Sequence, residues 1–290
     1  MISLLIRLVV LGSLGQLLAG TVTLAESLEA QPRVNEVSAL AIDCRPEVLT
    51  YDISWTGGIK IGKMNLAVVR NDKDETCEIH ARVRDSGLFR LFYPVDDTFV
   101  TQVDETWLPL RYEVEQREGE GYEARRLTVY DQRQGLIRYW KNKGEEQEFT
   151  AAGPVHNEFT SFFVTRFLPW STEHTRFVVP TWADESRNPV EVELRGTKRI
   201  YSHYMGTVET LEVLPRMTFK GLYDKSGDTV IWFSDDRCRI PLRINSKILI
   251  GSLTAELKEY DGERCPEWLE RIAQRRSALA PELDWSGMGD

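Results

Sequence analysis

The sequence predicts a mostly β protein: one antiparallel sheet of successive hairpins, with a phenylalanine-rich helix that plugs a barrel end or packs on a curved sheet. Three observations carry this. Apolar and polar residues alternate in short runs across residues 49–257, the period-two signature of half-buried strands. Turn residues separate the runs at regular intervals, which is the spacing of hairpins and not of strand–helix–strand units. One segment, residues 156–168 (HNEFTSFFVTRFL), breaks the rhythm, because Phe159, Phe162, Phe163, Arg166 and Phe167 recur every three or four residues and so share a helix face.

Each element follows in order. Arg7 precedes an apolar run over residues 8–18, then small and polar residues lead to Thr23-Leu24-Ala25. This is the pattern of an export signal, residues 1–25, cleaved near Ala25. The run is shorter than the roughly 20 apolar residues of a membrane helix, and no later segment approaches that length. Residues 26–43 read as a flexible leader. Leu49, Tyr51, Ile53 and Trp55 share one strand face, Gly57-Gly58 turns the chain, and Gly62 bends the returning strand before Met64, Leu66 and Val68. A polar turn at residues 71–75 leads to a strand with Cys77, Ile79, Ala81 and Val83 on one face. Residues 86–93 (SGLFRLFY) suit one or two helical turns ended by Pro94. Strands resume around Leu110–Val114, Val129 and Ile137, then the aromatic helix is capped by Asn157 and stopped by Pro169. Further strands follow around Val179, Val192, 208–214, 230–233, 240–244 and 249–257. A short helix starts with Pro266 at its first position and runs to about Arg276, and residues 277–290 read as a loosely ordered tail. No linker divides residues 44–265, which read as a single domain.

The four cysteines, Cys44, Cys77, Cys238 and Cys265, imply two disulfides in an oxidising compartment. Three pairings are possible. Cys77 shares its parity with Ile79 and Cys238 shares its parity with Ile240 and Leu242, so both point inward from strands; Cys44 and Cys265 flank the first and last strands. The expected pairs are therefore 77 with 238 and 44 with 265.

Acids outnumber bases by 45 to 36, and loss of residues 1–25 takes the net charge to about −10, which disfavours nucleic acid and anionic lipid headgroups as partners unless a local basic patch overrides it. No GxSxG, HExxH or SxxK motif is present, and His80, His156, His174 and His203 are scattered. His80 opposes the apolar parity of its strand and belongs on the outer face. The expectation is a protein without catalytic residues, metal or cofactor. Asp235, Asp236, Arg237 and Arg239 form the sharpest polar cluster. They suit a sugar, cation or anion site, or simply a hairpin turn with exterior ion pairs, and the second reading is preferred. Asp72, Asp74 and Glu75 lack the glycine and ligand spacing of a calcium loop. Phe159, Phe162, Phe163, Phe167 and Trp232 are candidate ligand contacts in a groove between sheet and helix, the alternative being that these rings fill the interior.

Residues 51–68 (YDISWTGGIKIGKMNLAV), 156–167 and 230–257 (VIWFSDDRCRIPLRINSKILIGSLTAEL), the last with a strand through Gly251, together resemble the exported bacterial family of domain of unknown function 3108. The resemblance covers residues 51–260. It implies a Gram-negative periplasmic protein with a single highly curved antiparallel sheet, an open barrel or β-spiral, wrapped around a short central helix. A more distant resemblance is to β-spiral envelope-integrity proteins, in which a disulfide joins early and late strands. The family supplies no catalytic residues, and fold alone does not give function. The resulting expectation is a non-enzymatic periplasmic binding or scaffold protein that supports the cell envelope through a protein, lipid or glycan partner. A lipid or lipoprotein carrier using the aromatic groove comes second, and an envelope glycan hydrolase third.

Overall fold

Alternation in the sequence becomes alternation in space. In a computed structural model, which describes residues 35–36, 42–71, 76–87, 90, 93–183, 185–216, 229–248 and 251–279, every second residue from Asp97 to Val103 is buried against the inner face. The strands are β1 (Asn35–Glu36), β2 (Glu47–Trp55), β3 (Ile59–Asn71), β4 (Thr76–Asp85), β5 (Asp96–Val103), β6 (Pro109–Glu118), β7 (Tyr122–Asp131) and β8 (Leu136–Lys141). They continue with β9 (Gln147–Thr150), β10 (Arg176–Ala183), β11 (Ser186–Ser202), β12 (Gly206–Arg216), β13 (Thr229–Ser234), β14 (Pro241–Lys247) and β15 (Ser252–Gly262). Among the described residues two α-helices accompany them, α1 (Glu158–Phe167) and α2 (Pro266–Leu279).

The 15 strands among the described residues form one unclosed sheet in the order β1-β10-β11-β12-β13-β14-β15-β2-β3-β4-β5-β6-β7-β8-β9. Two meanders, β2–β9 and β10–β15, are joined by the long antiparallel ladder between β15 and β2. Helix α1 connects β9 to β10, so it carries the chain between strands near opposite edges of the sheet. Phe149 on β9 and Trp182 on β10 touch, with ring centroids 5.3 Å apart, which brings the two ends of the curved sheet together. Register shifts at Ile53/Ser54, Gln102/Val103, Leu194/Gly196, Trp232/Phe233 and Leu257/Glu259 supply local twist. Gly62 sits at the first of them, where an added Cβ would lie 2.7 Å from the Arg84 carbonyl oxygen, so only glycine permits that close approach.

The structure has the predicted fold: mostly β, one highly curved open sheet, a central aromatic helix and a C-terminal helix. Asn157 caps α1 through its side chain to the Phe159 and Thr160 backbone N–H groups, and Thr160 returns the bond in a capping box. Pro266 opens α2, which extends to Leu279, beyond Arg276. His80 is exposed on the outer face. Some details differ from the sequence reading. Gly251 lies in the β14–β15 turn with φ +83° and not within a strand. Asn35 and Glu36, inside the expected leader, pair in parallel with Phe177 and Val178. The export signal, the acidic group Asp72, Asp74 and Glu75, half of the expected helical turn at residues 86–93, and residues 280–290 lie outside the described residues.

The disulfides are Cys44–Cys77 and Cys238–Cys265, with Cα separations of 5.8 and 5.9 Å. The expected pairs, 77 with 238 and 44 with 265, do not form. Sheet order explains the difference. The β15–β2 ladder already joins the two chain ends, and each disulfide instead ties one end to an element two strand positions away: Cys44, before β2, to β4, and Cys265, after β15, to the β13–β14 turn. Cys238 is buried as expected, but it sits in that turn and not on a strand.

Candidate functional site

The aromatic residues singled out in the sequence do not converge on one open site. Phe163 is fully buried against Trp107, 5.3 Å between centroids. Phe159 packs on Phe99 at 5.2 Å and Tyr112 at 6.2 Å, and Phe162 packs on Phe163 at 5.6 Å and Phe233 at 6.1 Å. These rings fill the interior where the helix lies. Phe167 lies beneath the guanidinium groups of Arg166 and Arg264, each 5.0 Å away. Trp232 faces the other side of the sheet, where its Nε1 donates to Glu212 at 3.0 Å and Lys198 sits over its ring at 5.8 Å.

The Asp-Asp-Arg-Cys-Arg segment works as the hairpin turn that the sequence preferred. Asp236 Oδ1 accepts from Ser234 Oγ and from the backbone N–H groups of Cys238 and Arg239, and its Oδ2 accepts from Trp268 Nε1 at 2.7 Å. Arg237 grips Glu267 with two hydrogen bonds, and Arg239 pairs with Asp235 at 2.9 Å. The turn therefore clamps α2 onto the sheet. Cys238, Cys265 and Glu267 are close enough to suggest metal ligands, but the two sulfurs are bonded to each other, which leaves one carboxylate.

Beside that turn lies a buried charge cluster that the sequence reading missed. Arg166 donates to Glu47 through Nη1 at 2.6 Å and Nη2 at 3.3 Å, and both side chains are completely inaccessible. Arg166 also donates to the carbonyl oxygens of Arg239 and Cys238, while Arg264 pairs with Asp43 at 2.7 Å and approaches Glu47 at 3.6 Å. Burial pushes the Tyr51 hydroxyl well above its usual range, with Arg166 opposing and Glu47 reinforcing the shift, and it pushes Tyr260 up as well. Both signals were in the sequence: Arg166 falls on the phenylalanine face of its helix, and Glu47 shares the parity of Leu49 and Tyr51.

A second buried polar group occupies the inner face farther along β5 and β6. Asp97 accepts from the Arg117 backbone N–H at 3.1 Å and from Gln116 Nε2 at 3.3 Å, Arg126 donates to Gln116, and Tyr93 donates to Glu118. Burial, then the charge of neighbouring Glu118, pushes the Asp97 carboxyl up to about 6, against the pull of its two N–H donors. Since the folded protein holds this proton where the unfolded chain has lost it, stability falls as pH rises from about 4 through 6. At pH 8, D97N is expected to exceed wild type by about 2 to 3 kcal/mol, an advantage that closes below pH 4. Urea unfolding at the two pH values measures it.

A cleft of about 900 Å³ opens at one mouth of the curved sheet, where the β5–β6 and β7–β8 turns face the end of β3 and the Cys44–Cys77 disulfide. Trp107 is at its base, held in the left-handed region with φ +61°, an unusual conformation for so bulky a residue. Asp104 fixes it by accepting from the Thr106 and Leu108 N–H groups, and the Trp107 indole donates to the Ile42 carbonyl at 2.6 Å. The lining mixes apolar side chains with charged ones.

The family described as "Protein of unknown function (DUF3108)" matches residues 50–258. The chain belongs to this family. No curated protein matches it. Among solved structures, the DUF3108 chain is similar to the crystal structure of a beta-barrel-like protein of domain of unknown function DUF1849 from Brucella abortus, with TM-score 0.56 and 10% identity over 76% of this chain and 99% of that one. At that identity the likeness is one of fold. A DUF1329 family protein from Desulfovibrio piger aligns over 76% of this chain and 85% of its own at TM-score 0.26 and 10% identity. No helix among the described residues of the DUF3108 chain is long and apolar enough to cross a membrane.

Proposed function

We propose that this DUF3108 protein is a non-enzymatic binding protein of the periplasm that supports cell-envelope integrity, with the cleft beside Trp107 as its binding site. The observation that carries the reading is the contrast between a ring-filled interior around α1 and an open, mixed-polarity cleft of about 900 Å³ at the mouth, within the size range of ligand sites. Two disulfides suit an oxidising compartment. The Asp97 and Glu118 carboxyls do not favour hydrolysis, because Asp97 is fully buried and the pair shares a hydrogen bond, whereas glycosidic acids stand roughly 5 Å or more apart around a substrate. Deletion of the gene should sensitise cells to detergents and wall-targeting antibiotics. Wild type should restore resistance and the cleft-filling variant Leu110→Trp should not; unchanged barrier behaviour in the deletion strain would contradict the reading.

A hydrophobic carrier is the second reading, supported by one feature. Ile244, Ala255 and Ile53 are successive cross-strand partners on the inner face, Met64 and Val83 form another such pair on the next two strands, and all remain half-buried, as do Phe159 and Phe162 of α1. Native mass spectrometry of protein isolated from its own compartment would reveal a retained lipid, and repeated absence of one counts against this reading.

A further inference from the structure

The binding-protein reading leaves the ligand open, and the charges around the cleft narrow it. Most of its polar groups are already occupied. Asp104 and Asp131 accept backbone N–H groups of their own turns, Gln132 bridges Pro109 and Val155, and Arg138 pairs with Glu146 at 3.6 Å. Among the described residues, no hydrogen bond or ion pair engages the guanidinium of Arg70 or Arg133, and Glu105 is the one carboxylate of the lining in the same state. Arg70 shares the parity of inward-facing Leu66 and Val68 and pairs across the ladder with Cys77, so it rises from the inner face at the mouth. The β7–β8 turn contributes Arg133 from the other side. Arg70 and Arg133 are thus the two cations of the lining whose guanidinium donors are not spent on a protein partner among the described residues.

The base of the cleft has the opposite character. The Trp107 indole N–H is spent on the Ile42 carbonyl, and Val103, Leu110 and Ile42 add apolar surface. A fully hydrated anion would meet its guanidinium partners at the rim and this apolar surface at the base.

We propose that the cleft takes an anionic amphiphile: a phosphate, sulfonate or carboxylate head held between Arg70 and Arg133, with its apolar body laid on Ile42, Val103 and Leu110. This rests on the cleft being the binding site. Guanidinium groups favour such heads because they donate paired, charge-assisted hydrogen bonds, and the body gains by leaving water.

Isothermal titration calorimetry on the oxidised protein tests it with decyl phosphate, decyltrimethylammonium, decyl maltoside and inorganic phosphate. Decyl phosphate should bind at least about tenfold more tightly than the other three, and R70Q and R133Q should each weaken it by roughly tenfold. Both arginines are exposed, so the variants should fold as wild type does, which circular dichroism checks. Equal binding of decyl maltoside and decyl phosphate, lost in L110W but retained in R70Q/R133Q, would overturn the anionic ligand and leave the cleft standing. Preference for the decyl cation would overturn it too. If no probe binds the folded, oxidised protein, the ligand proposal and the cleft reading fall together.

Discussion

Replacing Arg166 by methionine is expected to destabilise the protein by about 3 to 5 kcal/mol, the range for removing one partner of a buried ion pair. Methionine nearly matches the volume of arginine, so loss of charge and hydrogen bonds dominates. Glu47 would stay completely inaccessible with only Arg264 at 3.6 Å to answer it, and the carbonyl oxygens of Cys238 and Arg239 would lose a donor. Urea unfolding of R166M, E47M and R166M/E47M separates the contributions. Each single variant should lie well below wild type, and the double should recover much of the loss, because two apolar side chains need no compensation. An exposed pair such as Arg111–Glu113, 46% and 51% accessible, should contribute at most about 1 kcal/mol in the same assay. Single variants near wild type would mean that water reaches Glu47 readily.

The fold was legible because period two is a local property. Leu49, Tyr51, Leu66 and Ile79 announce their strands and inner face within a few residues, and the spacing of Phe159, Phe163 and Arg166 announces the helix. Edge elements were less visible. β1 is only two residues long and β9 four, and neither run is long enough to display a period. The disulfides were misread because inward parity says which face a sulfur occupies and nothing about which strands are neighbours; that Cys44 meets Cys77 depends on β2, β3 and β4 lying side by side. The same limit applies to the site. Asp235, Asp236, Arg237 and Arg239 are adjacent in sequence and serve one turn, whereas Arg70 and Arg133 reach the same cleft from separate strand ends. Trp232 was grouped with the helix phenylalanines by residue type, yet its parity opposes inward-facing Ile231 and Phe233.

Removing the Cys238–Cys265 disulfide as C238S/C265S is expected to cost about 3 to 4 kcal/mol, the chain-entropy value for a loop closed over a sequence separation of 27. The separation of 33 for Cys44–Cys77 predicts nearly the same cost for C44S/C77S. Their coupling to the buried charges distinguishes the two. Cys238 supplies a carbonyl to Arg166, and Cys265 follows Arg264, whose partners are Asp43 and Glu47. The first disulfide thus holds the turn that Arg166 needs, so combining C238S/C265S with R166M should cost less than the sum of the separate losses, by about 1 kcal/mol. Cys44 stands beside Asp43, one bond farther along the network, so C44S/C77S should combine with R166M more nearly additively. Peptide mapping without reductant should recover residues 44 with 77 and 238 with 265. Equal coupling of both disulfides to Arg166 would show that the charge cluster reports on general loosening of the sheet end. A selective effect would place the C-terminal disulfide, the β13–β14 turn and α1 in one cooperative unit.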